Sequence, residues 1–162
     1  MVKEFYSLIQ SCIPGYAKVS PFRSFHIDLM NLDEQQQKVY NSMPKYSQYM
    51  EAQANYGYAC TILVNGIPYA VFGFVPLWKG VAECWLLLDN RCRTVFVPFS
   101  RSSLRIFDKI GSFMDLKRLQ MYVVSKNFLY NKYAKFCKFN KEGLLKYYGP
   151  DLTDYNCYGR YY

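Results

Sequence analysis

Two apolar runs of strand length meet at Asn65-Gly66, and this arrangement constrains the fold more than any other feature of the chain. Asn-Gly suits a two-residue type I′ turn, in which both central residues take positive φ. The run Gly57-Tyr58-Ala59-Cys60-Thr61-Ile62-Leu63-Val64 therefore reads as a strand, and Ile67-Pro68-Tyr69-Ala70-Val71-Phe72-Gly73-Phe74-Val75 as its antiparallel partner. A second turn is expected over Pro76 to Gly80, followed by a third strand, Val81-Ala82-Glu83-Cys84-Trp85-Leu86-Leu87-Leu88. The three runs are almost continuously apolar, so the middle of this meander is expected to be covered on both faces.

The apolar period changes after Asp89-Asn90. Phe99, Ser103, Phe107, Ile110 and Met114 share one helical face. A strand over Leu119–Val124 and a short helix carrying Leu129, Tyr133, Phe136 and Cys137 follow. Two closing strands, Gly143–Tyr148 and Tyr155–Gly159, flank a turn at Gly149-Pro150-Asp151. The tail from Tyr158 to Tyr162 reads as either a docking strand or a frayed end. Upstream, Phe5, Leu8, Ile9 and Cys12 mark a helix ended by Pro14-Gly15, then an extended run reaches Phe22. The more polar stretch from Phe25 to about Tyr49 is expected to hold one or two helices, with Pro44 interrupting or starting one. From the first strand onward the order is β–α–α–β–β–β–α–β–α–β–β, a mixed sheet with helices on its faces. With 162 residues, no repeat and no linker-like tract, one domain over residues 1–162 is expected.

Several function classes are disfavoured. No run approaches the roughly 18–20 apolar residues of a membrane span, and Glu4 interrupts the start where a signal peptide builds its apolar run. A cytoplasmic protein with no membrane partner is the expectation. The six cysteines form no C-x-x-C pair and the chain has one histidine, His26, so neither a metal site nor a nucleophile paired with histidine is expected. The net charge is +8, and thirteen basic residues between Arg91 and Lys146 face only Asp108, Asp115 and Glu142. That field suits an anionic partner: a phosphorylated cofactor, an acidic protein surface, or nucleic acid, for which no motif is present. A solvated basic surface is the alternative.

The helix joining the third meander strand to the next strand gives an order that resembles the GNAT-like acyltransferase superfamily. The segments Ser20-Pro21-Phe22-Arg23-Ser24-Phe25-His26, Val75 to Trp85 and Phe139 to Tyr155 are similar to GNAT-fold proteins encoded by tailed phages and prophages. The resemblance covers about two-thirds of the chain. It implies an α/β (α+β) fold with a mixed, mostly antiparallel central sheet flanked by helices. It also implies transfer of an acetyl group from acetyl-CoA to an amine-bearing substrate.

Carried onto this sequence, the resemblance puts the catalytic carboxylate at Glu83, where the alternative is an edge-facing or salt-bridged glutamate. It puts a proton-donating tyrosine near Tyr133, where the alternative is core packing. Backbone groups of Leu86, Leu87 and Leu88 would bind the pantetheine arm, and Asn127 would lie beside the cofactor or cap a helix. The phosphate loop departs from the family pattern. The run Arg91-Cys92-Arg93-Thr94-Val95-Phe96-Val97-Pro98 contains no glycine, and Pro98 has no N–H near the helix start. Either Arg91, Arg93 and Thr94 substitute through charge and hydroxyl contacts, or the cofactor site has been lost and the fold retained. In the second case the chain would be a non-catalytic phage virion or assembly protein whose partners are phage structural proteins or nucleic acid.

Overall fold

In the computed structural model, which describes Met1–Tyr162, the hairpin forms at the expected turn. Asn65 and Gly66 take φ values of 51° and 76°, joining β2 (Tyr58–Val64) to β3 (Ile67–Trp78) in antiparallel register. Pro68, which cannot donate to a ladder, falls where that register shifts. The second turn is shorter than expected. β3 continues through Pro76 to Trp78 over a further register shift, leaving Lys79-Gly80 alone to turn into β4 (Val81–Leu88). The shift accommodates the proline within the strand.

A helix, α1 (Val2–Gln10), precedes β1 (Ala17–Pro21), which pairs with β2 along the other edge of the meander. Between β1 and β2 there are three helices where one or two were expected: α2 (Phe25–Asp28), α3 (Glu34–Ser42) and α4 (Tyr46–Tyr56). Few apolar residues mark α3, so periodicity gives it little signal; its start is fixed by Asp33, whose carboxylate accepts from the Gln36 amide at 2.8 Å. His26, buried on α2, accepts from the Arg23 amide through Nδ1, which also lies 2.7 Å from the Thr61 hydroxyl. Both contacts serve the packing of α2 on β2.

After β4, a 3₁₀ turn over Asn90–Val95 leads into α5 (Phe96–Phe113). β5 (Arg118–Val124), α6 (Phe128–Phe136), β6 (Asn140–Leu145) and β7 (Tyr155–Tyr161) complete the chain. The strand order is β1-β2-β3-β4-β5-β7-β6, antiparallel except between β4 and β5.

The meander is covered on both faces, as its apolar sequence requires. One core packs Phe5, Ile9, Phe74, Phe107, Ile110 and Leu119 between the sheet and α1, α5 and α6. The other packs Ile27, Met50, Val71 and Leu87 beneath α2 and α4. Each fully buried side chain of this size contributes about 1.5–3 kcal/mol.

The tail is a structural strand, not a frayed end, because β7 pairs with both β5 and β6. Arg160 is buried and donates to the Cys137 carbonyl at 2.9 Å and to the Asp108 carboxylate. The Tyr162 hydroxyl donates to the Phe107 carbonyl at 2.8 Å, and its ring lies where a Cβ on Gly111 would come within 2.2 Å. The first closing strand ends at Leu145, short of Tyr148, because Tyr147 takes a φ of 52° and its amide turns to the Asp154 carboxylate at 2.9 Å.

Candidate active site

The central parallel pair is incomplete. β4 and β5 are in register only from Val81–Glu83 against Arg118–Gln120. β5 then stays with β7 over Arg118–Val124, while β4 stays with β3 to Leu88. The sheet therefore opens between Cys84–Leu88 and Met121–Val124. A cavity of about 500 Å³ occupies the opening, within the range of small-molecule sites. Its walls include residues from both sheet faces: Cys84 and Leu88 toward α5, Trp85 and Leu87 toward α3 and α4.

Backbone alternation sorts the exposed edge of β4. The Asp89 amide bonds to the Tyr69 carbonyl on β3 at 2.9 Å. The Leu88 N–H and C=O face away from β3 and are both taken by the Gln36 side-chain amide, at 2.8 and 2.9 Å. Leu87 turns back toward β3, and Leu86 again presents its peptide groups to the opening. Of the three leucines singled out in the sequence, Leu86 has its peptide edge open, whereas Gln36 covers Leu88 as a strand partner would.

Glu83 lies at the closed end of the split, half-buried and lining the cavity on the α3–α4 side. Burial pushes its carboxyl above the usual carboxylate range, partly offset by a bond from Gln120 Nε2 at 3.4 Å. Gln120 also donates to the Tyr122 hydroxyl at 2.9 Å, and the Tyr122 ring sits 4.7 Å from that of Tyr148, which lies 5.7 Å from Tyr155. The Trp85 indole N–H, in the same wall, is buried without a partner. A carboxylate in this setting can accept a proton from an amine, and the tyrosine rings can surround a cationic group.

Tyr133 reaches the cavity from α6, on the opposite sheet face from Glu83, stacked 5.8 Å from Phe99. Burial, with the Cys137 thiol beside it, holds its phenol well above the ordinary range, against the opposing effect of the Ser103 hydroxyl. The group stays protonated, able to donate a hydrogen bond but a weaker acid than a solvated tyrosine.

At the mouth of the opening the loop residues separate. Asp89 is buried; burial opposes its ionisation, but bonds from the Arg91 side chain and from the Arg91 and Asn31 amides outweigh it and lower its pKa. Arg91 therefore spends its charge on Asp89, with Nη2 at 2.5 Å. The Thr94 hydroxyl donates to the Arg91 carbonyl at 2.7 Å. Arg93 is exposed, makes no ion pair, and borders a second cavity of about 100 Å³ together with Asn127 and Asp33. Leu88, Cys92, Phe96 and Tyr130 line both cavities, which places the second against the mouth of the first. Asn127 caps α6, its side-chain oxygen accepting from the Tyr130 amide at 3.0 Å. The Tyr130 hydroxyl donates to Asp33 and so ties α6 to α3 across the mouth.

The structure thus brings Glu83, Leu86–Leu88 and Tyr133 to one cavity and Arg93 and Asn127 to its neighbour; Arg91 and Thr94 line neither. Trp78 is exposed at the end of β3, away from both. Gln36, Gln120, Tyr122 and Tyr148 were not singled out by the sequence reading. Gln120 and Tyr122 carry a recoverable signal, since they alternate along β5 beside the same face as Glu83. Gln36 carries none, because its partner is 52 residues away.

No protein-family model matches the chain, and no curated protein is similar enough to match it. Solved structures do match. RimL, a ribosomal alpha-N-protein acetyltransferase in complex with coenzyme A, superposes with a TM-score of 0.66 at 16% identity, covering 92% of this chain and 96% of RimL. The microcin self-immunity acetyltransferase MccE, in complex with acetyl-CoA and AMP, gives 0.68 at 13% identity, covering 92% and 94%. A GNAT-family acetyltransferase from Bacillus anthracis gives 0.64 at 11% identity, covering 90% and 95%. Together with the split between β4 and β5, this likeness identifies the fold: the chain has the GNAT fold, a mixed and mostly antiparallel sheet flanked by helices.

Proposed function

We propose that the chain is a GNAT-type N-acyltransferase, moving an acetyl or longer acyl group from a CoA thioester to an amine. The carrying observation is the opening between β4 and β5: a cavity through the sheet with the elevated carboxyl of Glu83 on one side and a mouth bordered by Arg93 on the other. RimL and MccE, which share the fold, were solved with CoA and acetyl-CoA.

The residues fit such a cofactor in part. Leu86 offers peptide groups for the amides of the pantetheine arm, and Arg93 offers an unpaired charge for its phosphates. Leu88 offers its peptide only when Gln36 releases it. When bound, acetyl-CoA supplies an activated thioester carbonyl.

The chain's own groups then have distinct tasks. Glu83 takes the proton of an ammonium entering from the α3–α4 side, leaving a nucleophilic amine; its raised pKa brings it closer to the working pH of a general base. Gln120 orients the carboxylate. Tyr122 and Tyr148 hold the cationic acceptor before it gives up its proton. Tyr133 serves as a hydrogen-bond donor on the far face, because its elevated pKa works against full proton transfer to a thiolate, whose pKa is about 8.5.

The test is thiol release from acetyl-CoA with a panel of primary amines. Glu83→Gln is expected to lower kcat about a hundredfold or more without changing the KM for the thioester. Equal kcat in the wild type and the variant would remove Glu83 from the mechanism.

A second reading has its own support. The glycine-free loop, the Arg91–Asp89 pair and the Gln36 bonds to Leu88 all fill places a cofactor would use. They favour a non-catalytic GNAT-fold protein that binds a partner; a phage virion or assembly role for it rests on the sequence resemblance alone. Acetyl-CoA binding distinguishes the readings.

A further inference from the structure

The cavity is larger than an acetyl group needs and extends on both sides of the sheet, toward Val39, Tyr46 and Met50 on the α3–α4 side and as a separate arm on the α5 side. Beyond the opening it runs beneath α5, between Phe72 of β3 and Phe99 and Ile106 of α5, to Ile62 and Val64 of β2 and Ile13 beside β1. From β4 to β1 is three strand spacings, about 14 Å. No charged side chain lines this arm: Glu83, the one charged group in the cavity wall, stands on the opposite sheet face. Its few polar groups are neutral, the buried Ser102 hydroxyl among them. The Ser103 hydroxyl donates to the Phe99 carbonyl at 3.0 Å, and Tyr16 is exposed at the far end.

An arm of this kind offers no charge to an amine, a carboxylate or a phosphate, and apolar cavities stay dry. It suits a linear hydrocarbon. The arm also begins at the sheet opening, where the thioester carbonyl would lie under the function proposed above. We infer that the chain selects a medium-length fatty acyl thioester, with an acyl chain of about ten carbons threaded beneath α5 toward Val64 and Ile13. This inference rests on reading the β4–β5 opening as a CoA thioester site, and it names the acyl group that the site takes.

The test is calorimetric titration of the full chain with acetyl-, butanoyl-, octanoyl- and decanoyl-CoA, all below micelle-forming concentrations. Affinity is expected to rise about fourfold per added methylene until the arm is filled, or about four-thousandfold over the six methylenes from acetyl to octanoyl. Val64→Trp, at the half-buried far end, is expected to remove the gain from octanoyl to decanoyl while leaving butanoyl-CoA unchanged. Ala70→Phe, nearer the middle, is expected to flatten the series from butanoyl onward; because Ala70 is buried, the Val64 variant carries the test if this one does not fold. A flat series with acetyl-CoA bound as tightly as decanoyl-CoA overturns the inference and leaves the proposed acyltransferase standing. A rising series untouched by Val64→Trp places the acyl chain elsewhere and also overturns it. Failure of every thioester to bind removes the proposed function and this inference together.

Discussion

At the residue scale, Glu83 carries opposite consequences for stability and for activity. Its pKa in the folded protein is raised by burial, so the folded state holds the proton more tightly than the unfolded chain does. Stability from this group is greatest below its unfolded pKa of about 4.3 and falls as pH rises through the folded value. Glu83→Gln is therefore expected to melt at a higher temperature than the wild type at pH 7, with the difference closing toward pH 4; thermal melts across that range check it. Activity should move the other way, climbing with pH through the same elevated pKa. Gln36 allows a second residue-level prediction. Gln36→Ala removes two hydrogen bonds to Leu88, and with them about 1–3 kcal/mol of stability, readable by denaturant unfolding. It also frees the Leu88 peptide, and acetyl-CoA should bind several-fold more tightly to this variant despite its lower stability. Neither role of Gln36 was visible in the sequence, where it is one of three consecutive glutamines in a polar helix.

Elements were more legible than sites. The meander was readable because Asn65-Gly66 fixes a turn of one handedness and the flanking apolar runs admit one pairing. α5 was readable from its apolar face. α2 and α3 blurred because α2 is a single turn and α3 is mostly polar, its position being set by the Asp33 cap. The tail was illegible for a different reason: its last residues are held by groups far back in the chain, Asp108, Cys137 and Phe107. Gly111→Ala tests that clamp. A methyl group there meets the Tyr162 ring, and about 1–3 kcal/mol of destabilisation is expected, with most of it recovered in the double variant Gly111→Ala, Tyr162→Ala. The edge strand β6 has its own pH signature. Arg118 and the Tyr161 hydroxyl hold the Glu142 carboxyl down at about 2. That stabilisation is present above about pH 4.3 and is lost as pH falls toward 2. Glu142→Gln should be less stable than wild type at pH 7, with the difference narrowing as pH falls toward 2, and solvent screening keeps the difference within about 1 kcal/mol.

For the whole molecule, the order of strands and helices leads to a sheet that parts between β4 and β5, and the parting gathers groups from distant segments around one cavity. Sequence placed Glu83 and the three leucines on the strand that forms one wall, because the apolar run there is interrupted by a single acid. It could not show that Arg91 is consumed by Asp89 while Arg93 is left unpaired, since the two arginines are two residues apart and differ only in what the fold sets beside them. The central claim is that this opening is a cofactor site, and calorimetric titration with acetyl-CoA at moderate ionic strength tests it most directly. Saturable micromolar binding, weakened several-fold by Arg93→Ala and by added salt and strengthened by Gln36→Ala, is the predicted result. Absence of binding at millimolar acetyl-CoA, in the wild type and in Gln36→Ala alike, would contradict it.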